Sequence, residues 1–301
     1  MKTGIDVPKD WRRLADDLVR SEWRRVVVLG ASDRGKSTFC RFLAQQLAVA
    51  GAGVTLLDAD PGQKMLGPPA CVTAGHFDGS GRSGPSKLYF VGGTDPARRI
   101  GGIVAGAARL AYAVPERLLV NTSGLINGPG HTLKRLKIDA LCPDHIVAIA
   151  RGTELDALLA PLPPARVHRL APSPAAHGKT AAARAAARQA ALSSALQGAR
   201  ERRLNRLVFQ MLERDGPAAG EAHPGEPRLC SLADRDGTEH GLGILSDADM
   251  TDGTATVLTP VGSRRIHRVR IGTVLQDEVL ARLPELAGLP SVGNRQRSSG
   301  A

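Results

Sequence analysis

The chain has 301 residues, with 40 Lys and Arg against 29 Asp and Glu, a formal net charge of +11 and a hydrophobic share of 42%. That composition excludes a disordered chain, and the length accommodates one large domain with a smaller one. Its four cysteines are widely spaced with no C-x-x-C pair, which argues against a zinc site or a disulfide framework, and no apolar run is long enough to span a membrane.

No membrane partner and a reducing, cytoplasmic setting are therefore the expectation, and the excess of arginine favours a polyanionic partner. In chain order, residues 6–24 read as an amphipathic helix with Trp11, Leu14, Leu18 and Val19 on one face. Trp11 and Trp23 are expected to pack rather than to stack on bases. RVVVLG at 25–30 is a short apolar strand, 36–50 a helix, and VTLLDAD at 54–60 a second strand that stops at acids and Pro61-Gly62. KLYFVGG at 87–93, RLLVNTSG at 117–124 and HIVAIA at 145–150 read as further strands. Helices are predicted over 97–113 and 131–142. Strands alternating with helices predict an α/β fold with a doubly wound, mainly parallel sheet, whose ligand chemistry sits beyond the carboxyl ends of the strands.

Residues 161–178 read as loop. The Ala- and Arg-rich stretch 179–206 reads as helix interrupted at Gly198, with the RERRLNR run at its end, and 214–227 as a Gly/Pro-rich linker. Beyond it, short strands with D-G and G-S turns predict a small β-rich region. The expected organisation is a helical segment 1–24, a P-loop domain 25–213 and a β-rich domain 228–291.

GASDRGKST, running Gly30, Ala31, Ser32, Asp33, Arg34, Gly35, Lys36, Ser37, Thr38, matches G-x-x-x-x-G-K-[ST] between a strand and a helix. Its glycines permit a tight path on which successive N–H groups face a triphosphate, and the helix N-terminus adds a favourable dipole. Lys36 is placed to reach the β- and γ-phosphates, and Ser37 to bind Mg²⁺. Asp33 and Arg34 read as flanking charges, Asp33 turned outward and Arg34 either at the phosphates or at the surface.

Asp58 and Asp60, two apart in LLDADPGQ, share one side if the strand extends through both. One carboxylate can orient Mg²⁺ or its water and the other accept a proton, so both are candidate metal and catalytic residues, with Asp60 preferred as base. Gln63, just beyond the turn, is a candidate substrate- or water-positioning group.

Four blocks together resemble the polynucleotide 5′-hydroxyl kinase family of Clp1, Grc3 and Nol9 type. They are VPKDW at 7–11, VVVLGASDRGKSTFCRFLAQQL from Val26, LLDADPGQ at 56–63 and VNTSGLINGPG at 120–130. YFVGGTDP at 89–96 is similar to a further family segment. The resemblance implies a P-loop ATPase-type core that uses ATP and Mg²⁺. It implies transfer of the γ-phosphoryl group to the 5′-hydroxyl of single-stranded or end-exposed RNA or DNA. On this resemblance Thr122 and Gly124 belong to a substrate-holding segment. Leu125 stands where the family often has Trp, removing an aromatic stack worth about 1–3 kcal/mol. Arg184 and Arg188 match the arginine spacing of the family's lid, placed here in 176–206, with Lys179 beside them. His131 is a further candidate substrate contact. The alternatives are a P-loop ATPase or GTPase switch, for which no N-K-x-D motif is visible, and an ATP-binding scaffold of nucleic-acid processing with little catalysis.

Overall fold

The computed structural model describes residues 6–77, 87–212, 227–262 and 266–274. Residues 214–226 of the expected linker and 275–291 of the expected β-rich domain lie outside these.

The first half alternates strands and helices: α1 (Lys9–Arg20), β1 (Arg25–Leu29), α2 (Lys36–Val49), β2 (Val54–Ala59), β3 (Cys71–Phe77), β4 (Lys87–Phe90), α3 (Ile100–Tyr112), β5 (Leu118–Thr122), α4 (Pro129–Leu141), β6 (His145–Ile149), α5 (Asp156–Leu159) and β7 (Val167–Leu170). The strands form one sheet in the order β4-β3-β2-β5-β1-β6-β7. β2, β5, β1, β6 and β7 run parallel to one another, while β3 runs antiparallel between β2 and β4. Helices cover both faces, so the central strands are apolar on both sides. Val26 and Val28 point into a core with Trp11, Phe39 and Leu43 of α1 and α2. Val27 and Leu29 point the other way, into a core with Ile103 of α3 and Leu133 of α4. This is the two-residue period of a strand buried twice.

Two strands of this sheet were not expected. β3 is antiparallel and mixes small residues with His76 and Phe77, and β7 lies within the stretch read as including a loop. Neither presents the long Val/Ile/Leu run that marks the central strands.

The second half holds α6 (Ala181–Ala195) and then β8 (Arg200–Leu204), β9 (Val208–Met211), β10 (Arg228–Ala233), β11 (Glu239–Asp249), β12 (Thr254–Thr259) and β13 (Arg268–Val274). These strands form a second sheet in the order β8-β12-β11-β10-β13-β9. The chain is therefore α/β with a parallel-rich sheet and a second, β-rich sheet. The expected helix over 179–206 is corrected here. Gly198 adopts a left-handed φ of 73°, and RERRL continues as β8 against β12 rather than as a basic helix end. Residues 200–211 thus supply two strands to the second sheet, ahead of the boundary expected at 228.

The sheets meet at β4. The buried Glu239 carboxylate accepts from the Phe90 N–H (2.6 Å) and pairs with Arg270, whose guanidinium lies 4.5 Å from the Tyr89 ring centroid. Leu192, Leu196, Leu229 and Ile244 pack with Phe90 and Cys71 around this junction. Among the described residues no helix is long and apolar enough to cross a membrane.

Removing one member of a buried ion pair leaves the other uncompensated, at about 3–5 kcal/mol. Glu239→Ala should therefore lower stability by about 3 kcal/mol. Urea unfolding measures this; an unchanged midpoint would show the pair to be dispensable.

Candidate active site

The site lies beyond the carboxyl ends of β1, β2 and β5, where the register sets Ala59 beside Thr122 and Val28 beside Asn121. The stretch Gly30–Thr38 turns from β1 into α2. Gly35 caps that helix at φ 91°, and a Cβ there would lie 2.8 Å from the Trp11 ring. Trp11 is itself fixed, edge-on to Phe39 at 5.4 Å with its indole N–H donating to the Ala171 carbonyl (2.8 Å). The first helix therefore braces the loop from below.

A cavity of about 310 Å³ opens over this turn. Ser32, Asp33, Gly35, Lys36, Ser37 and Thr38 line it on one side, with Asp60, Gln63, Thr122 and Gly124 opposite. Arg184 and Arg188 close it from α6, joined by Lys179. Gly30, Ala31, Arg34, Asp58, Leu125 and His131 are not among the lining residues. Gly124 has to be glycine for a steric reason: a Cβ there would come within 2.6 Å of the Ser32 amide nitrogen.

Lys36 is buried and its ammonium donates to the Ala31 carbonyl (2.7 Å). Burial pushes its pKa down to about 8, opposed by the Asp60 charge. Asp60 Oδ1 accepts from the N–H groups of Gly62 (2.9 Å) and Gln63 (3.0 Å), which fixes the carboxylate at the turn. Among the described residues its second oxygen has no hydrogen-bond partner. The Thr122 hydroxyl, by contrast, is used within the sheet, donating to the Val28 carbonyl (2.8 Å).

Several expectations need correction. Asp58 is fully buried, and its oxygens already accept from Asn121 Nδ2 (3.0 Å), Met65 N–H (2.6 Å) and Leu66 N–H (3.0 Å), with Lys64 Nζ at 3.1 Å. A carboxylate so saturated has no lone pair left for a metal ion. It acts at one remove, because the Asn121 amide it holds presents Oδ1 to the Ser37 hydroxyl (3.4 Å). Arg34 makes a two-point fork with Glu154, both contacts at 2.9 Å, and is turned away from the cavity. Asp33 does not point outward: its Oδ2 accepts from Arg184 (2.5 Å) and from the Lys179 N–H (3.2 Å), tying the α6 segment to the loop. Leu125 and His131 are half-buried beside the cavity rather than in its wall.

No motif points to Lys64, Lys134 or Lys137, yet Lys64 lines the cavity and Lys134 and Lys137 are buried under the site. Lys134 donates to the Ser123 carbonyl and hydroxyl, and Lys137 to the Ala59 carbonyl (3.5 Å). Desolvation lowers both pKa values, that of Lys137 to about 8. A signal was present in the sequence: both lysines fall on the apolar stripe of α4 formed by Leu133, Ile138 and Leu141, where a charge needs a reason.

Residues 30–198 match the family described as the P-loop of the mRNA cleavage and polyadenylation factor CLP1. The chain belongs to this CLP1 P-loop family. Among its relatives, the polyribonucleotide 5′-hydroxyl-kinase of Methanocaldococcus jannaschii is 36% identical over 144 residues, 46% of this chain and 40% of that protein. The protein of the same description from Pyrococcus horikoshii is 36% identical over 163 residues, 51% of this chain and 45% of the relative. The chain thus spans less than half the length of these two relatives. A solved structure of Clp1p in complex with a Pcf11p fragment superposes with a TM-score of 0.67 over 88% of this chain and 78% of that one, at 14% identity, and so shares the fold.

Two outcomes follow from the geometry. Gly124→Ala should weaken ATP binding about tenfold or more, read by calorimetry, because its methyl group drives into the Ser32 backbone (more than 1.4 kcal/mol of strain is enough). Asp33→Ala should speed amide hydrogen exchange over residues 179–184 by releasing the Arg184 and Lys179 contacts; unaltered exchange would show that Asp33 does not hold the segment.

Proposed function

We propose that this chain is an ATP-dependent polynucleotide 5′-hydroxyl kinase, transferring the γ-phosphoryl group of ATP to the 5′-hydroxyl end of RNA or DNA. One observation carries the reading. Asp60 shares a cavity with Lys36, Ser37, Arg184 and Arg188, with one carboxylate oxygen pinned by the turn and the other uncommitted. A hydrolase needs only a water there. The names of the archaeal relatives favour a hydroxyl acceptor instead.

In this scheme the triphosphate lies along the N–H groups of the loop, and Lys36 exchanges the Ala31 carbonyl for phosphate oxygens. The 5′-hydroxyl approaches past Gln63, Thr122 and Gly124. Its proton passes to Asp60 as the O5′–P bond forms, while the bond from phosphorus to the β–γ bridging oxygen breaks and ADP departs. Arg184 and Arg188 offset the charge on the equatorial oxygens and exclude water from the closed site. The oxygen donors fit Mg²⁺: the Ser37 hydroxyl, bonded to Asn121, and the Asp60 carboxylate would hold it, and the ion would neutralise phosphate charge. Leu125, set beside the cavity, offers apolar contact without an aromatic stack, so acceptor binding rests on polar and electrostatic contacts.

A transfer assay with labelled ATP and matched 5′-hydroxyl RNA, DNA and mononucleotide tests this. Oligomers should accept phosphate and Lys36→Ala should abolish transfer. Asp60→Ala should lower kcat by about 10²–10⁴-fold while ATP still binds. ATP hydrolysis without any transfer would instead identify an ATPase, and ATP binding without either would identify a scaffold.

A further inference from the structure

The buried lysines of α4 have no counter-ion of their own. Lys134 and Lys137 are both fully buried, and no carboxylate lies within 4.0 Å of either ammonium among the described residues. An ammonium has three donors. Lys137 satisfies one, by a long bond to the Ala59 carbonyl (3.5 Å), and Lys134 bonds only Ser123. Those two acceptors are the residues at the ends of the strands that present Asp60 and Gly124 to the cavity. Lys36 adds a third buried ammonium to the same region, while the Asp58 carboxylate is taken up by Lys64 and its hydrogen bonds. Beneath the cavity, positive charge thus exceeds what Asp60 alone can balance.

We propose that Lys134 and Lys137 are positioning residues forming a buried cationic floor, which holds the tips of β2 and β5 and is balanced only when a nucleoside polyphosphate fills the cavity above. The inference rests on the phosphate-binding reading of the site, not on the identity of the acceptor. Two buried charges without partners lower the stability of the empty protein. A bound polyanion then returns that cost as affinity, so the floor selects for ligands of high negative charge without touching them. This differs from a plain structural role, in which the lysines would stabilise the empty and filled states alike.

The test is thermal unfolding of the full-length protein with and without ATP, in the absence of nucleic acid. For Lys137→Met, which gives up only one long hydrogen bond, the ligand-free midpoint should equal or exceed that of the unmutated protein. The ATP-induced rise should fall by about half or more, with ATP Kd raised about tenfold. Lys134→Met should lose the ATP-induced rise to a similar degree, even though loss of its bonds to Ser123 lowers its ligand-free midpoint. Ligand-free midpoints that drop while the ATP-induced rise is kept would overturn the proposal and leave the lysines as pins. If the methionine variants do not fold, lysine-selective ¹³C NMR of the unmutated protein decides. ATP should raise the titration midpoints of Lys134 and Lys137; midpoints of both left unmoved by ATP would overturn it. No ATP-induced shift in the unmutated protein would sink this proposal together with the phosphate-binding reading.

Discussion

A carboxylate shut off from water has to be satisfied wholly by the protein, and Asp58 is satisfied from three directions. The neighbouring strand supplies the Asn121 amide, the following turn supplies the N–H groups of Met65 and Leu66, and Lys64 supplies the charge. Hydrogen bonds to a charged group are among the stronger ones, at about 1.5–3 kcal/mol each. This knot forces the chain to reverse after Pro61, and the reversal sets the N–H groups of Gly62 and Gln63 on Asp60. The same knot fixes which end of the Asn121 amide faces Ser37. Asp60 and Ser37 thus owe their placement to a residue that does not reach the cavity.

Placement on the other side comes from packing. Trp11 and Phe39 support the loop, and β4 ties the parallel sheet to the second one through Glu239 and Arg270. The segment that follows β7 crosses the cavity mouth and continues into β8, so one stretch of chain both roofs the site and begins the second sheet. Any tilt of α6 is limited by Leu192 and Leu196, which are packed against Leu229 and Ile244.

How much of this is legible in the sequence depends on how local the cause is. The central strands, α2 and the phosphate loop announce themselves because their signals are contiguous: apolar runs buried on two faces, and glycines where the turn is tight. β8 is not legible in that way. RERRL has helix-forming residues, and only pairing with β12, some fifty residues on, makes it a strand. β3 and β7 fail for the same reason, lying toward the two sides of the sheet and defined by their neighbours. At the site, the spacing of Asp58 and Asp60 suggests a shared role, but one is buried and saturated while the other faces the cavity, a split set by the turn that follows them. The arginine in the phosphate loop belongs to Glu154, 120 residues away. Lys134 and Lys137 were readable as charges on an apolar stripe, though the stripe does not say what lies across from it.

Asp33 and Arg184 are joined at 2.5 Å. An incoming ligand that recruits this guanidinium does so by exchange, and only the difference between the two partnerships is gained. On the proposed function, Asp33 would stand in for a phosphate at this arginine, and parting the pair would set how much negative charge a ligand has to carry to recruit it.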